Sequence, residues 1–394
     1  MTPLRPAFSR FILLLLILAA VPAQAEESYR FREGSYKKGE LRYINGLPVL
    51  IVQGTPAEIG EQEAALTIDV AKDVIAYPKE VLRLIGHEEW WPKFVKMGQS
   101  LLPQFPEDHL EELDAFAKKS GIDRDLLIGI NSMVDSYRGG FACSSLIVDP
   151  ERSATGGPLF GRNLDFFTLG KLQRYSLVVI YRPENKHAFV SVGFPGMIGC
   201  FSGMNDAGLA VAVHEVFFSR DAAGIFDPKG TPYTLCFRRI LEECTTVEEA
   251  EALLRSMTRT TLLNLAVCDR RRGAVLEMTP KNVVLRPSED GICACTNHFR
   301  TDTLATFAIS RRYRTLMRSK DLKEIGLAEV AEKLHQVNLG RLTLQTMIFQ
   351  PDKLELHLAI GSCPASALPL RRLELAPLFK TAPRSKAAGK LDRR

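Results

Sequence analysis

From residue 144 onward the chain consists of short apolar runs that arrive in batches, and this pattern restricts the fold more than any other feature. Six runs follow in quick succession: SSLIVD, PLFGRNLDF, YSLVVIYRP, HAFVSVGF, GCFSGM and GLAVAVHEV. Several of them are almost continuously apolar, which is typical of strands buried on both faces. We therefore expect a sheet-rich region that starts at Cys143.

Helix pairs separate the batches of strands. TPYTLCFRRILEEC and TVEEAEALLRSM predict two helices, and LNLAVCD, AVLEMTP, NVVLRP and ICACTN predict four further strands. A second helical stretch, ISRRYRTLMRS and LAEVAEKLHQV, precedes a hairpin-like pair, TLQTMIFQ and KLELHLAIG. Batches of strands that alternate with helix pairs favour stacked antiparallel sheets covered by helices. The sequence thus predicts an α+β fold.

The segment 26–142 has a different pattern and is expected to be mostly helical. One short strand precedes a long helix, for which Thr55 is the N-cap and Glu58 stands three residues later. FPEDHLEELDAFAKKSGI predicts a second, amphipathic helix that ends at Gly121, and RDLLIGINSMVDSY predicts a third.

Residues 1–25 have the pattern of a secretory signal peptide. Arg5 and Arg10 precede the apolar run FILLLLILAAV, and AQA at Ala23–Ala25 has the small-x-small form of a cleavage site. The run of about 11 residues is too short to span a bilayer as a helix. We expect a mature protein that begins near Glu26 and is periplasmic or secreted, with no stable membrane span.

Composition indicates one large globular domain after that signal. The 394 residues are 46% hydrophobic and 25% charged, and no linker or repeat divides them. Without Arg5 and Arg10 the net charge falls from +5 to +3. Much of the remaining positive charge is in the basic tail, residues 380–394, which we expect to be a disordered terminus. No other segment is basic enough to predict a nucleic-acid partner.

The cysteines give little support to a disulfide framework or a metal site. All eight follow residue 142: Cys143, Cys200, Cys236, Cys244, Cys268, Cys293, Cys295 and Cys363. If Cys143 must remain a free thiol, seven are left and at least one more is unpaired. Cys293 and Cys295 alternate on a strand without a second ligand pair at zinc-type spacing, so we expect core residues. No metal and no cofactor is expected.

Cys143, in GGFACSSLIV, is the candidate nucleophile. A thiol reacts as its thiolate and needs a base within hydrogen-bond reach. His214 or His298 would supply that base in a papain-like site. Alternatively, cleavage of the peptide bond before Cys143 would free its own α-amino group, which has a pKa of about 8 and can take the thiol proton.

Five features occur in an order that resembles a known family. Cys143 opens a strand, and GRNLDF, SGMNDAGL, TNHF and SRRYRTL follow it; GTPAEIGEQEA resembles the start of the family's pro-segment. The resemblance is to the N-terminal-nucleophile (Ntn) hydrolases, and within them to the C45-type autoproteolytic acyltransferases similar to isopenicillin N acyltransferase. Choloylglycine hydrolases and acid ceramidase-like amidases are related to these. The resemblance implies a four-layer αββα sandwich of two stacked, largely antiparallel sheets.

The resemblance also implies roles for a pair in GRNLDF. Cys143 would cleave the chain before itself, giving fragments 26–142 and 143–394, and would then act in catalysis. Asp165 would orient the freed α-amine, and Arg162 would hold the thiolate and substrate by charge. Residues three apart on a regular strand face opposite ways, so we expect a bulge or turn near Asn163.

Three further residues are implied in the same way. Asn205 and Asn297 would donate to the oxyanion of the tetrahedral intermediate. Arg312 would brace the site or meet a substrate carboxylate, with Arg311 an equally placed candidate. Relatives commonly have glycine before the nucleophile, whereas Ala142 stands there in this chain.

Three functions are consistent with these observations. The first is an exported amidohydrolase or acyltransferase that cleaves a linear amide of a small N-acyl compound through a thioester on Cys143. The second is a papain-like cysteine peptidase that uses His298 or His214. The third is a non-catalytic periplasmic binding protein on the same fold. The substrate and the oligomeric state do not follow from the sequence.

Overall fold

The computed structural model describes residues 28–84, 86–136, 141–166, 171–306 and 309–380. The expected signal peptide, and the basic tail after residue 380, lie outside these ranges. Among the helices of the described ranges, none combines the length and the apolar character that a membrane span requires.

Two sheets form the centre of the molecule. The larger sheet has the strand order β1-β2-β3-β6-β7-β8-β9-β10-β11-β12, and the smaller has the order β13-β4-β5-β14-β15-β16. The strands are β1 Gly34–Tyr36, β2 Gly39–Ile44, β3 Leu47–Gly54, β4 Phe141–Val148, β5 Leu159–Phe166, β6 Leu177–Pro183, β7 Phe189–Gly193, β8 Ser202–Asn205, β9 Ala210–Glu215, β10 Leu263–Cys268, β11 Gly273–Met278, β12 Val283–Pro287, β13 Ile292–Cys295, β14 Thr343–Gln350, β15 Glu355–Ile360 and β16 Arg371–Glu374. Within these sheets, β3 and β6 are parallel and the other neighbours are antiparallel.

Helices cover the outer faces of both sheets. In the described ranges the α-helices are α1 Pro56–Leu84, α2 Trp91–Leu101, α3 Glu107–Ser120, α4 Arg124–Ser136, α5 Tyr233–Glu243, α6 Val247–Ser256, α7 Arg311–Met317, α8 Leu327–Gln336 and α9 Ala376–Phe379. Helices α1, α5 and α6 pack on the larger sheet, and α7 and α8 pack on the smaller. A separate apolar core lies between the sheets. The expected αββα sandwich is therefore confirmed.

The N-terminal part is mostly helical, as expected, but three strands precede its long helix where the sequence predicted one. Residues 34–54 form three strands that extend the larger sheet, and β3 lies parallel to β6 with Val49 opposite Val178. The sequence does carry a signal for this hairpin. Asn45 and Gly46 have φ values of 49° and 75°, and a two-residue type I′ turn needs positive φ at both positions.

The helix after these strands begins as predicted. The backbone N–H of Glu58 donates to Thr55 Oγ1 at 3.3 Å, and the N–H of Thr55 donates to Glu58 Oε2 at 3.0 Å. This reciprocal pair is a capping box. The other two predicted N-terminal helices correspond to α3 and α4, and Gly121 ends α3 with a φ of 68°.

The strands and helices expected after Cys143 are present in the predicted order. Cys293 and Cys295 lie on β13 in the core between the sheets, as expected of core residues. All eight cysteines are free thiols in this structure.

Candidate active site

Cys143 lies on β4 with its side chain between the two sheets. Ile147, which shares its strand face, belongs to the inter-sheet core, and the side chain of Cys143 is fully buried. Burial raises the pKa of the Cys143 thiol above its ordinary value, while the positive charge of Arg162 acts in the opposite direction. Arg162 is therefore the strongest single influence that favours ionisation of the thiol.

Arg162 and Asp165 lie on opposite faces of β5, so the expected bulge near Asn163 is wrong. Residues 159–166 pair with β4 in unbroken register, and Cys143 is opposite Leu164. The irregularity is in the neighbouring strand β14, between Thr343 and Gln345. A regular strand alternates its side chains, so Arg162 points between the sheets and Asp165 points to the helix side.

Arg162 links the two sheets. Its Nε donates to Ser202 Oγ on β8 at 2.7 Å, and its Nη1 donates to the backbone oxygen of Asn163 at 3.1 Å. Its Nη2 is buried and makes no hydrogen bond in this structure. Arg162 thus retains one donor on the side of the sheet where the thiol lies.

Asp165 is fully buried on the other face. Its Oδ1 accepts a hydrogen bond from Thr343 Oγ1 at 2.5 Å, and its Oδ2 is 3.5 Å from Arg312 Nη1. Burial raises the pKa of Asp165 to about 6, although Arg312, Thr343 and Arg162 each oppose that rise.

Asn297 and Arg312 hold the backbone of Cys143. The N–H of Cys143 donates to Asn297 Oδ1 at 2.8 Å, and Arg312 Nη1 donates to the carbonyl oxygen of Cys143 at 2.9 Å. Arg312 Nη2 also donates to Asn297 Oδ1 at 2.9 Å. Arg311 is exposed, so the structure selects Arg312 of the two candidates.

The loop that carries Asn297 is fixed by β9 and β10. Asn264 on β10 donates through Nδ2 to the carbonyls of Thr296 and His298, both at 3.0 Å. Asn297 Nδ2 donates to the carbonyl oxygen of Glu215, at the end of β9, at 2.9 Å. In this uncleaved chain one of the two Asn297 amide hydrogens therefore has a protein acceptor.

Asn205 does not belong to this site, contrary to the expectation from the sequence. Its Nδ2 donates to the carbonyls of Leu241 and Cys244 at 3.0 and 2.7 Å, and its Oδ1 accepts from the N–H of Leu209 at 2.9 Å. The side chain is buried and its hydrogen bonds fix the β8–β9 turn to the end of α5. An amide with both hydrogens already bonded is not an oxyanion donor, and its role is structural.

The two candidate histidines lack the geometry of a papain-like base. His298 interacts with Thr296 Oγ1 at 3.0 Å and lies 3.4 Å from Arg300 Nη1, and burial lowers its pKa to about 4. His214 is fully buried between the sheets with no hydrogen bond at either ring nitrogen. Burial lowers the pKa of His214 well below its usual range, and Arg162 and Arg312 lower it further.

An apolar cleft of about 310 Å³ opens beside Asn297 and Arg312. Its other walls come from the segment after β9 and from the segment that leads into α7. The lining residues are Val216, Phe217, Phe218, Asn297, His298, Phe299, Thr306, Ile309, Ser310 and Arg312. Cys143 itself does not line the cleft, but Asn297 and Arg312 both contact its backbone, so the cleft lies next to the segment that carries the candidate nucleophile.

A possible metal-ligand group within the described residues lies away from this site. Asp108, His109 and Glu242 bring their ligand atoms close together. Lys186 already forms ion pairs with both carboxylates, and Arg238 pairs with Glu242. Because these cations neutralise the carboxylates, the cluster is an ion-pair network.

Sequence reasoning did not find Ser202, Thr343 or the carbonyl of Glu215. Each of them holds one of the candidate residues through a hydrogen bond from a distant part of the chain. No local sequence pattern marks such partners, because strand pairing and sheet stacking bring them together.

Comparison with known proteins identifies the family. Residues 152–356 match the sequence model of the acyl-coenzyme A:6-aminopenicillanic acid acyl-transferase family, AAT, which is just over half of the chain. The chain belongs to the AAT family. The resemblance to C45-type Ntn acyltransferases is thereby confirmed. Arg162, Asp165, Asn297 and Arg312 lie inside the matched range, and Cys143 precedes it.

Individual relatives of this AAT-family chain are distant. It is 23% identical over 280 residues to an uncharacterized protein of Archaeoglobus fulgidus. That alignment covers 61% of this chain and 45% of the relative, so the chain spans less than half of the length of the relative.

Solved structures also show similarity at low identity. A Caenorhabditis elegans ortholog of N-acylethanolamine-hydrolyzing acid amidase is 17% identical, with a TM-score of 0.42, over 58% of this chain and 97% of that chain. A variant of conjugated bile acid hydrolase from Clostridium perfringens is 14% identical, with a TM-score of 0.45, over 61% and 95%. Penicillin V acylase from Agrobacterium tumefaciens is 13% identical, with a TM-score of 0.37, over 56% and 83%. The family assignment rests on the sequence match alone.

Proposed function

We propose that this AAT-family protein is an exported, self-processing cysteine amidohydrolase or acyltransferase. Its reaction would cleave the amide C–N bond of an N-acyl compound through a thioester on Cys143. The observation that carries the proposal is the convergence on one residue. Asn297 accepts from the N–H of Cys143, Arg312 donates to its carbonyl, and Arg162 lies on its side-chain face.

Self-processing would use the same thiol. Cys143 Sγ attacks the carbonyl carbon of Ala142, the peptide C–N bond breaks, and the nitrogen of Cys143 leaves as an amine. Water then hydrolyses the resulting thioester and releases the carboxylate of Ala142. Because the N–H of Cys143 already bonds to Asn297 Oδ1, the new α-amine would have an acceptor in place.

Turnover would then follow from the freed amine. The neutral α-amine takes the thiol proton, and the unused Nη2 of Arg162 stabilises the thiolate. The thiolate attacks the substrate carbonyl, and the substrate amine leaves with a proton from the α-ammonium. Asn297 Nδ2 donates one hydrogen to the Glu215 carbonyl, and its second hydrogen would be the donor to the oxyanion.

The cleft supports a substrate with an apolar part. Its walls are mainly aromatic and aliphatic, while Asn297 and Arg312 in the lining contact the backbone of Cys143. Either water or an amine could take the acyl group from the thioester. The name of the family, which specifies an acyl-coenzyme A donor, makes thioester-dependent acyl transfer the second candidate reaction.

Intact-mass analysis of the purified protein tests self-processing. We expect fragments 26–142 and 143–394 in the wild type and an uncut chain in Cys143→Ala. Cys295→Ala is the matched control, because Cys295 is also a buried thiol facing the inter-sheet core. The same cut in Cys143→Ala would assign the cleavage to another protease.

Activity is tested on a chromogenic N-acyl anilide, with and without an amine acceptor. Wild type and Cys295→Ala should release the anilide and Cys143→Ala should not. A whole chain that resists iodoacetamide at Cys143 but binds amides would instead support the binding-protein alternative.

Export is tested separately by N-terminal sequencing of protein recovered from the periplasm of a bacterial host. The expected new terminus is Glu26. A protein that keeps residues 1–25 in the cytoplasm would contradict this part of the proposal.

A further inference from the structure

The cleft contains two of the few large apolar side chains that the described residues expose. Those side chains are Leu84, Phe218, Ile225 and Ile309. Phe218 is 75% exposed and Ile309 is 71% exposed, and both line the cleft beside Asn297 and Arg312. Single exposed apolar residues are common on protein surfaces, but two at the rim of one cleft mark a binding feature. We call Phe218 and Ile309 the apolar mouth.

Phe218 lies on a segment that is fastened on both sides. The N–H of Val216 donates to the carbonyl of Leu262 at 3.3 Å, and the N–H of Arg220 donates to the carbonyl of Leu304 at 2.9 Å. Further along, the Asp221 carboxylate accepts hydrogen bonds from Thr279 and Asn282 at 2.6 and 2.8 Å. The backbone on either side of Phe218 is thus held in position before any ligand arrives.

Ile309 is held by the start of α7. Ser310 caps this helix, since its Oγ accepts from the N–H of Tyr313 at 3.2 Å, and Arg312 bonds to the carbonyl of Cys143. Ile309 therefore lies three residues before Arg312, the residue that contacts the backbone of Cys143. Because the backbone beside Ile309 is already ordered, binding at this residue loses less conformational entropy than it would on an unfastened segment.

We infer that the apolar mouth sets the length of acyl chain that this protein accepts. An acyl group whose carbonyl lies at Cys143 would extend through the cleft and bring its distal methylenes between Phe218 and Ile309. The substrate class is then an N-acyl amide with a long, unbranched apolar acyl chain. This inference rests on the proposed amide-cleaving function.

The size of the cleft agrees with an occupant that reaches the mouth. Its volume of about 310 Å³ is at the lower end of the roughly 300–1,000 Å³ found for ligand pockets. Short acyl groups would fit inside it, and longer chains would contact the mouth as well. Each methylene removed from water there should raise kcat/KM about fourfold.

The test is a series of N-acyl 4-nitroanilides from butanoyl to hexadecanoyl, hydrolysed by the processed wild-type enzyme. Phe218→Ser and Ile309→Ser should each lower the hexadecanoyl-to-butanoyl ratio of kcat/KM by roughly tenfold, because the distal methylenes lose their apolar contact. Phe218→Leu should restore most of the ratio. Leu84→Ser and Ile225→Ser are matched controls, since both residues are exposed but outside the cleft lining, and they should keep the wild-type ratio.

The outcomes separate this inference from the proposed function. No turnover of any anilide by the processed wild type would contradict the proposed function itself. Turnover with a ratio that Phe218→Ser and Ile309→Ser leave unchanged would overturn the role of the mouth alone. An equal fall in the ratio for Leu84→Ser would also overturn it, because the effect would not be local.

Discussion

Two fully buried arginines in this protein have opposite surroundings. Arg238, on α5, donates to Glu112 from Nη1 and Nη2 at 2.8 and 2.5 Å, and to Glu242 from Nε at 2.8 Å. Its guanidinium also lies 4.6 Å from the ring centroid of Tyr181. Arg162 instead has a hydroxyl and a carbonyl as partners, and its Nη2 has none.

The difference separates a buried charge with full compensation from one with partial compensation. A buried cation is stable when carboxylates and hydrogen bonds replace its water, as they do at Arg238. Arg162 has only neutral hydrogen-bond partners, so part of the free-energy cost of removing its charge from water is not offset until an anion forms beside it. The thiolate of Cys143, on the same strand face, is the anion that the proposed reaction would supply.

The Arg238 cluster also joins the two parts of the chain that self-processing would separate. Glu112 and His109 lie on α3, before Cys143, while Arg238 and Glu242 lie on α5, after it. His109 Nε2 is 3.0 Å from Glu242 Oε2. We therefore expect the cleaved fragments to remain associated.

The largest effect should come from Arg238→Met. Loss of this cation leaves the buried carboxylates of Glu112 and Glu242 without their main partner, so the free energy of unfolding should fall by about 3 to 5 kcal/mol. Urea denaturation measures this change. Arg239→Met is the control, because the partly exposed pair of Arg239 with Glu243 should contribute less than about 1 kcal/mol. Equal losses in the two variants would remove the distinction.

Arg162→Met should have little effect on stability and a large effect on activity. Because Arg162 has no carboxylate partner, we expect the free energy of unfolding to change by less than about 1 kcal/mol. The kcat/KM on an anilide substrate should fall roughly 100- to 1,000-fold, as for the loss of one preorganised charged donor. If Arg162→Met were as unstable as Arg238→Met and kept a normal kcat/KM, Arg162 would be a structural residue and the contrast with Arg238 would be wrong.

A third test uses pH at the edge of the Arg238 cluster. Burial, with a contribution from Glu112, raises the pKa of Glu63 from 4.5 to about 7. Between pH 4.5 and 7 the folded state keeps a proton on Glu63 that the unfolded state has lost. The stability associated with that proton is fully present below pH 4.5 and is lost as the pH rises through 7. The free energy of unfolding should therefore fall by about 3 kcal/mol over this pH range.

Glu63→Gln isolates that contribution. We expect its free energy of unfolding to lack the decline between pH 4.5 and 7 that the wild type shows, since glutamine does not ionise. Asp165, with a pKa of about 6, contributes in the same direction in both proteins and cancels in the difference. Parallel pH profiles for the two proteins would exclude Glu63 as the source.

The two asparagines implied by the family resemblance should behave differently. Asn297→Ala should reduce the rate of acylation about a hundredfold with a modest effect on stability. Asn205→Ala should lower the free energy of unfolding by about 1 to 3 kcal/mol, because it leaves the carbonyls of Leu241 and Cys244 unpaired. Single-turnover kinetics and urea denaturation distinguish the two. If Asn205→Ala slowed acylation a hundredfold at normal stability, Asn205 would belong to the active site after all.

The smallest effect concerns the start of α1. Thr55→Ala removes the hydroxyl that caps this helix and should cost about 1 kcal/mol of folding free energy. Thermal unfolding checks this value, with Thr246→Ala as the comparison, because the Thr246 hydroxyl caps α6 in the same way. A fall in kcat/KM without a change in stability would show that α1 acts on the site directly.

The sequence by itself determined the elements that depend on local chemistry. The order of strands and helices after Cys143 follows from apolar periodicity, and the start of α1 follows from the Thr55–Glu58 capping pair. The sequence also offered Cys143, Arg162, Asp165, Asn297 and Arg312 as candidate site residues, because they resemble a family pattern. These residues converge in the structure, where Arg312 and Asn297 hold the backbone of Cys143.

Tertiary structure alone decided what depends on partners far away in the chain. The bulge belongs to β14 instead of β5, because Arg162 and Asp165 reach different layers and need no kink. Asn205 bonds to the end of α5, an acceptor that its own turn sequence does not reveal. Strands β1 to β3 join the larger sheet because β6, more than 120 residues later, offers an open edge to β3. In each case a hydrogen-bond partner from another segment fixed the outcome, and local sequence does not specify such partners.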